Sequence, residues 1–211
     1  MSCKIRWCRE KDFSAVFEMN KQSNLFATAQ FLTSPKAIKN TLHSQKIFLV
    51  AEVNNKTVGF ILGKMRTRGV CFNLLLAVDK PFRRRGIGGG LIIAMLKLLS
   101  LKQVDGLPNP YYSWKWYAEV PAYNFEALQM YKALNFPVEG ILRKHTSAKT
   151  DIYILAFYLD ERQIPEYGKH VHNPIDIDDS LLLPDFHSHL KERLNERCSL
   201  KSKVSLLKMY G

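Results

Sequence analysis

The chain has 211 residues and a mass of 24.3 kDa, enough for one ordinary domain with an extension and a sizeable core. With 46% hydrophobic and 24% charged residues it is neither disordered nor fibrous in composition, and no apolar run approaches the roughly 20 residues a bilayer span needs. The net charge of +12 is unevenly placed: residues 161–211 hold 8 basic and 8 acidic side chains, so the whole excess lies in the first 160 and favours an anionic ligand there.

In chain order, residues 4–9 read as an opening strand, and Asp12 as the N-cap of a helix carrying Phe13, Val16, Phe17 and Met19. Ser34-Pro35 starts a second helix to about 44, since proline suits the first helical turn. Strands follow over Ile47–Val53, Thr57–Gly63 and the apolar run Phe72–Val78, which is expected to be central and covered on both faces. A Leu/Ile/Met-rich helix spans about 86–101, and Gly106, Pro108 and Pro110 make 102–111 a loop. Trp114–Val120 is a strand, Asn124–Leu134 a helix, and 138–145 and 151–159 are the last two strands. The order βααβββαβαββ predicts an α/β domain over 1–159, a mixed central β-sheet flanked by helices. Residues 160–211 form a C-terminal extension, loop-like and then an amphipathic helix near 184–197, whose Glu192 and Glu196 argue against a membrane or nucleic-acid arm.

The segment Arg83-Arg84-Arg85-Gly86-Ile87-Gly88-Gly89-Gly90 stands between a buried strand and an apolar helix. The first N–H groups of a helix are unpaired and partly positive, glycines let the backbone approach an anion, and arginines raise the local potential, so a phosphate ligand is expected. A nucleotide P-loop would continue with Gly-Lys-Ser/Thr, but Gly90 is followed by Leu91-Ile92. A dinucleotide fingerprint would place Gly or Ala at position 91, where Leu91 stands.

Read as Gln/Arg-x-x-Gly-x-Gly/Ala, Arg83 to Gly88 resembles the acyl-CoA motif of the GNAT N-acetyltransferases, most nearly the RimI-like protein N-terminal acetyltransferases, over about residues 4–159. The resemblance implies acetyl-CoA as cosubstrate, with the backbone of Leu76, Ala77 and Val78 along the pantetheine arm and the amides from Arg84 to Gly89 around the pyrophosphate. Glu119-Val120-Pro121-Ala122-Tyr123-Asn124…Ala127…Tyr131…Asn135-Phe136 resembles the family's second motif, in which Asn135 replaces the usual glycine and can still adopt the left-handed helix end. Asn124 is a good N-cap and is counted with the cofactor site.

An amine attacking a thioester must lose a proton, and the departing sulfur must gain one. A tyrosine, with a reference pKa near 10, remains a proton donor at neutral pH, and a carboxylate can accept from the amine. In the RimI-like pattern these roles fall to Tyr131 and Glu119; helix spacing alone makes Tyr131 a core aromatic, and Glu52 is a second candidate base. Direct acetyl transfer to a protein N-terminal α-amine in a cytoplasmic enzyme is the expectation. The alternatives are a small-amine (polyamine- or aminoglycoside-like) acetyltransferase, which the few acidic residues before 160 disfavour, and a non-catalytic acyl-CoA-binding module. The pairs His170/His172 and His187/His189 lack companion ligands for a metal, Trp114 and Trp116 read as core or cleft wall, and no base is placed beside Cys71.

Overall fold

The computed structural model describes residues 3–22, 34–42, 46–104 and 107–159; the expected helix near 184–197 and both histidine pairs lie outside the described residues. The strands are β1 (Cys3–Trp7), β2 (Lys46–Val53), β3 (Lys56–Thr67), β4 (Val70–Val78), β5 (Gln103–Val104), β6 (Leu107–Pro108), β7 (Lys115–Pro121), β8 (Val138–Leu142) and β9 (Ile152–Tyr158). The helices are α1 (Phe13–Gln22), α2 (Pro35–Leu42), α3 (Ile87–Ser100) and α4 (Phe125–Ala133). Seven strands form one sheet in the order β1-β2-β3-β4-β7-β9-β8, and β5 and β6 make a separate two-residue hairpin inside the stretch expected to be loop.

Alternation along the strands divides the core between the two sheet faces. Ile47, Leu49, Ala51, Ile61, Trp116, Ala118 and Val120 join the buried face of α3 and Tyr131 of α4. Phe48, Val50, Phe60, Leu62, Leu75 and Ala77 pack with Val16 and Met19 of α1 and Ile38 of α2. Both layers are needed because the central strands are apolar on both sides, and each fully buried Leu or Ile contributes roughly 1.5–3 kcal/mol.

Asp12 is not the N-cap of α1. A 3-10 turn over Glu10–Asp12 precedes the helix, and the Asp12 carboxylate accepts instead from the Arg9 backbone N–H, 2.8 Å away. Its stronger partner is Arg6 on β1, whose guanidinium donates to both Asp12 oxygens at 2.7 and 2.8 Å and to Glu52 Oε2 at 2.6 Å. Arg6 hydrogen bonds hold Glu52 below the usual carboxylate range, and bonds from Arg6, Thr57 and Arg9 outweigh burial to do the same for Asp12. Both carboxylates therefore stabilise the fold fully above their unfolded values near 3.9–4.3, and that contribution is lost as pH falls through the depressed folded values. The melting temperature is expected to stay level from pH 7 to about 5 and to fall below about pH 4. Glu52→Gln should remove about 2 kcal/mol at pH 7 by chemical denaturation and soften the acid decline.

Candidate active site

One parallel pairing organises the site. β4 and β7 pair only from Val70↔Lys115 to Asn73↔Ala118; beyond that rung β4 continues to Val78 and β7 to Pro121 with no pairing between them. At the same level Leu74 bulges out of the β3 ladder, because Leu62 faces Leu75 while Gly63 faces Asn73. The two strands thus separate into a fork in the middle of the sheet. Asp79 N–H donates to Val58 C=O, so by alternation Ala77 turns its backbone groups to β3, while Leu76 and Val78 turn theirs into the fork. Val78 C=O is taken by Arg83 Nε at 3.0 Å.

The mouth of the fork is a cleft of about 690 Å3 whose walls include Leu76, Ala77, Val78, Arg83, Arg84, Gly86, Ile87, Gly88 and Gly89 on one side and Tyr123, Asn124, Phe125 and Met130 on the other. The turn feeding α3 holds Arg84 at φ 61° and Gly86 at φ 79°, left-handed conformations that reverse the chain sharply before the helix. The first helical bond runs from Gly90 N–H to Gly86 C=O, so the N–H groups of Ile87, Gly88 and Gly89 have no intrahelical acceptor, and the first turn carries no acidic side chain. Gly88 leaves little spare room: a Cβ there would stand 2.9 Å from Met130 Sδ across the cleft. These features suit a phosphorylated ligand that lays an extended arm along β4. Arg85 alone of the expected cofactor residues is not part of this wall; its guanidinium lies 5.7 Å over the Phe82 ring. Asn124 lines the cleft and caps α4, its side chain accepting from Ala127 N–H at 3.2 Å. Asn135 has φ 58°, the left-handed helix end expected of it.

Tyr131 is 3% exposed and does not line the cleft; its ring packs against Trp116 and Phe136 with centroids 6.0 and 5.3 Å away. Its hydroxyl oxygen accepts from Asn73 Nδ2 at 3.0 Å, which sets it beside the last rung before the fork opens. Because that lone pair is occupied by the amide, the hydroxyl keeps its own proton to donate. Burial pushes the Tyr131 hydroxyl well above its usual value and the Asn73 bond pulls the other way, so it is protonated across neutral pH. Asn73, 9% exposed, leaves its other polar atom, Oδ1, without a hydrogen-bond partner. It is a site residue that the sequence reading missed inside an apolar run; a lone polar residue in a buried strand was the available signal.

Glu119 is the first β7 residue past the last rung, exposed, on the face opposite Trp116, Ala118 and Val120. Tyr131 and Glu119 therefore flank the fork from opposite faces of the sheet. Glu52 lies on β2, two strands from β4, and is committed to Arg6 and Lys11, which removes it as a base. Cys71 is fully buried with its thiol pushed up to about 12 by burial, so it supplies no thiolate nucleophile.

Residues 44–138 match the family model of the acetyltransferase (GNAT) domain. Over 120 residues the chain is 30% identical to the N-alpha-acetyltransferase of Sulfurisphaera tokodaii, covering 52% of this chain and 67% of that protein. Ard1 from Thermoplasma volcanium superposes with a TM-score of 0.60 at 26% identity, over 76% of this chain and all of that one. The ribosomal-protein-S18-alanine N-acetyltransferase from Escherichia coli has the same fold, with a TM-score of 0.61 at 19% identity over 80% of this chain and all of that one. With its forked mixed sheet and its open α3 N-terminus, the chain belongs to the GNAT family of acetyl-CoA-dependent acetyltransferases.

Proposed function

We propose that the fork catalyses direct acetyl transfer to a polypeptide N-terminal α-amine, as in the RimI-like enzymes. The observation that carries this reading is the placement of a proton donor and a carboxylate on opposite faces of one strand opening, so that thioester and amine can approach from opposite sides. Acetyl-CoA supplies the acetyl thioester. The α3 amides from Ile87 to Gly89, with Arg83 and Arg84 nearby, would hold its pyrophosphate, and the Leu76 and Val78 backbone its arm. Tyr131 holds a proton at Oη for the departing sulfur, and Asn73 Nδ2 steadies the oxygen as that proton leaves. Glu119 accepts a proton from the amine, directly or through water.

The choice of an α-amine rests on basicity and on relatives. At a pKa near 7.7–8.0 an α-amine has a useful neutral fraction at pH 7, whereas lysine near 10.4 has almost none, so an exposed carboxylate suffices as the proton acceptor. The similar proteins from Sulfurisphaera tokodaii and Saccharolobus solfataricus are both N-alpha-acetyltransferases.

Glu119→Gln tests the base. The rate on an N-terminal peptide should fall about tenfold at pH 7, and the deficit should shrink as pH rises past the amine pKa near 8, because solution then deprotonates the amine. Parallel pH–rate profiles for the two proteins would exclude Glu119 as the base.

A further inference from the structure

We propose that the sheet face leading away from Glu119 binds acceptor polypeptides whose residues just after the reacting amine are acidic. The inference rests on the N-terminal α-amine reading above and names the acceptor more narrowly.

The register draws one lateral row across the face opposite α3 and α4. Lys46 faces Lys64, Lys64 faces Phe72, Phe72 faces Tyr117, and Tyr117 faces Ala156; directly opposed residues share a face. The Phe72 and Tyr117 rings lie 4.9 Å apart, and the Arg66 guanidinium stands 4.8 Å over the Phe72 ring. The next row along β7 and β9 is Glu119 beside Ile154. The residues that α1 and α2 cover on this face, among them Phe48, Leu62 and Leu75, belong to neighbouring rows further along the strands, and Lys64 and Arg66 are exposed.

Two lysines directly opposed on neighbouring strands repel each other. Neither Lys64 nor Arg66 has an ion pair among the described residues. In contrast, Lys115, one row below, is neutralised by Glu139 at 2.5 Å. Carboxylates placed over the row would turn repulsion into attraction. The reach is right: β7 to β3 is two strand spacings, roughly 10 Å, which an extended peptide covers in about three residues. With its amine at Glu119 and its first residue over the half-buried Tyr117, an acceptor would bring residues two to four to Arg66, which stands over the buried Phe72 ring, and to Lys64. Burial and the Lys64 charge also push the Lys46 ammonium pKa down.

The test compares three peptides with the same first residue and with acidic, neutral or basic residues at positions two to four. The acidic peptide should exceed the neutral one by about tenfold in kcat/KM, mainly through KM, and the advantage should shrink with added salt. The double variant Lys64→Glu/Arg66→Glu should erase or invert the preference, and the milder Lys64→Gln/Arg66→Gln should reduce it; retained acetyl-CoA affinity by titration reports an intact fold in each. Equal kcat/KM on all three peptides, or a preference untouched in variants that still bind acetyl-CoA, would overturn this inference and leave the α-amine reading standing. Equal rates accompanied by salt-sensitive binding of single-stranded RNA, lost in the variants, would assign the row to nucleic acid and overturn it as well. No transfer to any peptide by a chain that binds acetyl-CoA would overturn both.

Discussion

Tyr131→Phe is expected to lower kcat by about 10²–10⁴-fold with acetyl-CoA affinity nearly unchanged. The substitution keeps the ring contacts with Trp116 and Phe136 and deletes only the hydroxyl. It is not free of structural cost, because the hydroxyl is the partner of buried Asn73 Nδ2, and an amide left unpaired there should cost about 1–2 kcal/mol of stability. The two effects separate cleanly: melting reports the lost hydrogen bond, and single-turnover rates report the lost proton donor. Asn73→Leu offers a control, since it removes the same bond and leaves the hydroxyl in place. A stability loss in both variants, with a rate loss far larger in Tyr131→Phe than the moderate one expected of Asn73→Leu, would assign the chemistry to the hydroxyl. A fully active Tyr131→Phe would leave Tyr131 as the core aromatic its packing already makes it.

Gly88→Leu should weaken acetyl-CoA binding by about a hundredfold. Its Cβ would press on Met130 Sδ at 2.9 Å, and the remaining side chain would occupy the space in front of the α3 amides. A hydrogen bond to a charged group contributes about 1.5–3 kcal/mol, so excluding the pyrophosphate from two amides accounts for a change of that size. Met130 ends in a flexible side chain and can move aside, so Gly88→Ala should be far milder. Titration calorimetry on both variants, with circular dichroism to confirm helix content, checks the series. Equal affinities across wild type, Ala and Leu would move the anion site away from this turn.

Much of the fold was legible because it is written in local patterns. The apolar runs of β2, β3 and β4, the Leu/Ile/Met helix α3 and the Asn124 cap each carry their own signal, and the element order follows from them. The β5–β6 hairpin was not legible, since two-residue strands between prolines and a glycine have no periodicity to read. Nor was the role of Asp12, where a capping residue type is used instead in a buried ion pair with a strand arginine. The fork itself depends on a register between residues 70–73 and 115–118, which no local pattern encodes. Motif resemblance located Glu119 and Tyr131, but only the register sets them on opposite faces of one opening. Tyr131 is a buried ring in the core whose hydroxyl meets Asn73 beside the fork.

Acetyl transfer at this fork onto an α-amine is tested by giving the protein acetyl-CoA and a peptide bearing both a free N-terminus and an internal lysine, with a polyamine in parallel, and locating the acetyl group by mass spectrometry. Acetylation of the peptide α-nitrogen is expected, with little on the lysine or the polyamine and a loss of about 10²-fold or more with Tyr131→Phe. Acetylation of the polyamine or the lysine alone, or an undiminished rate in Tyr131→Phe, would contradict it.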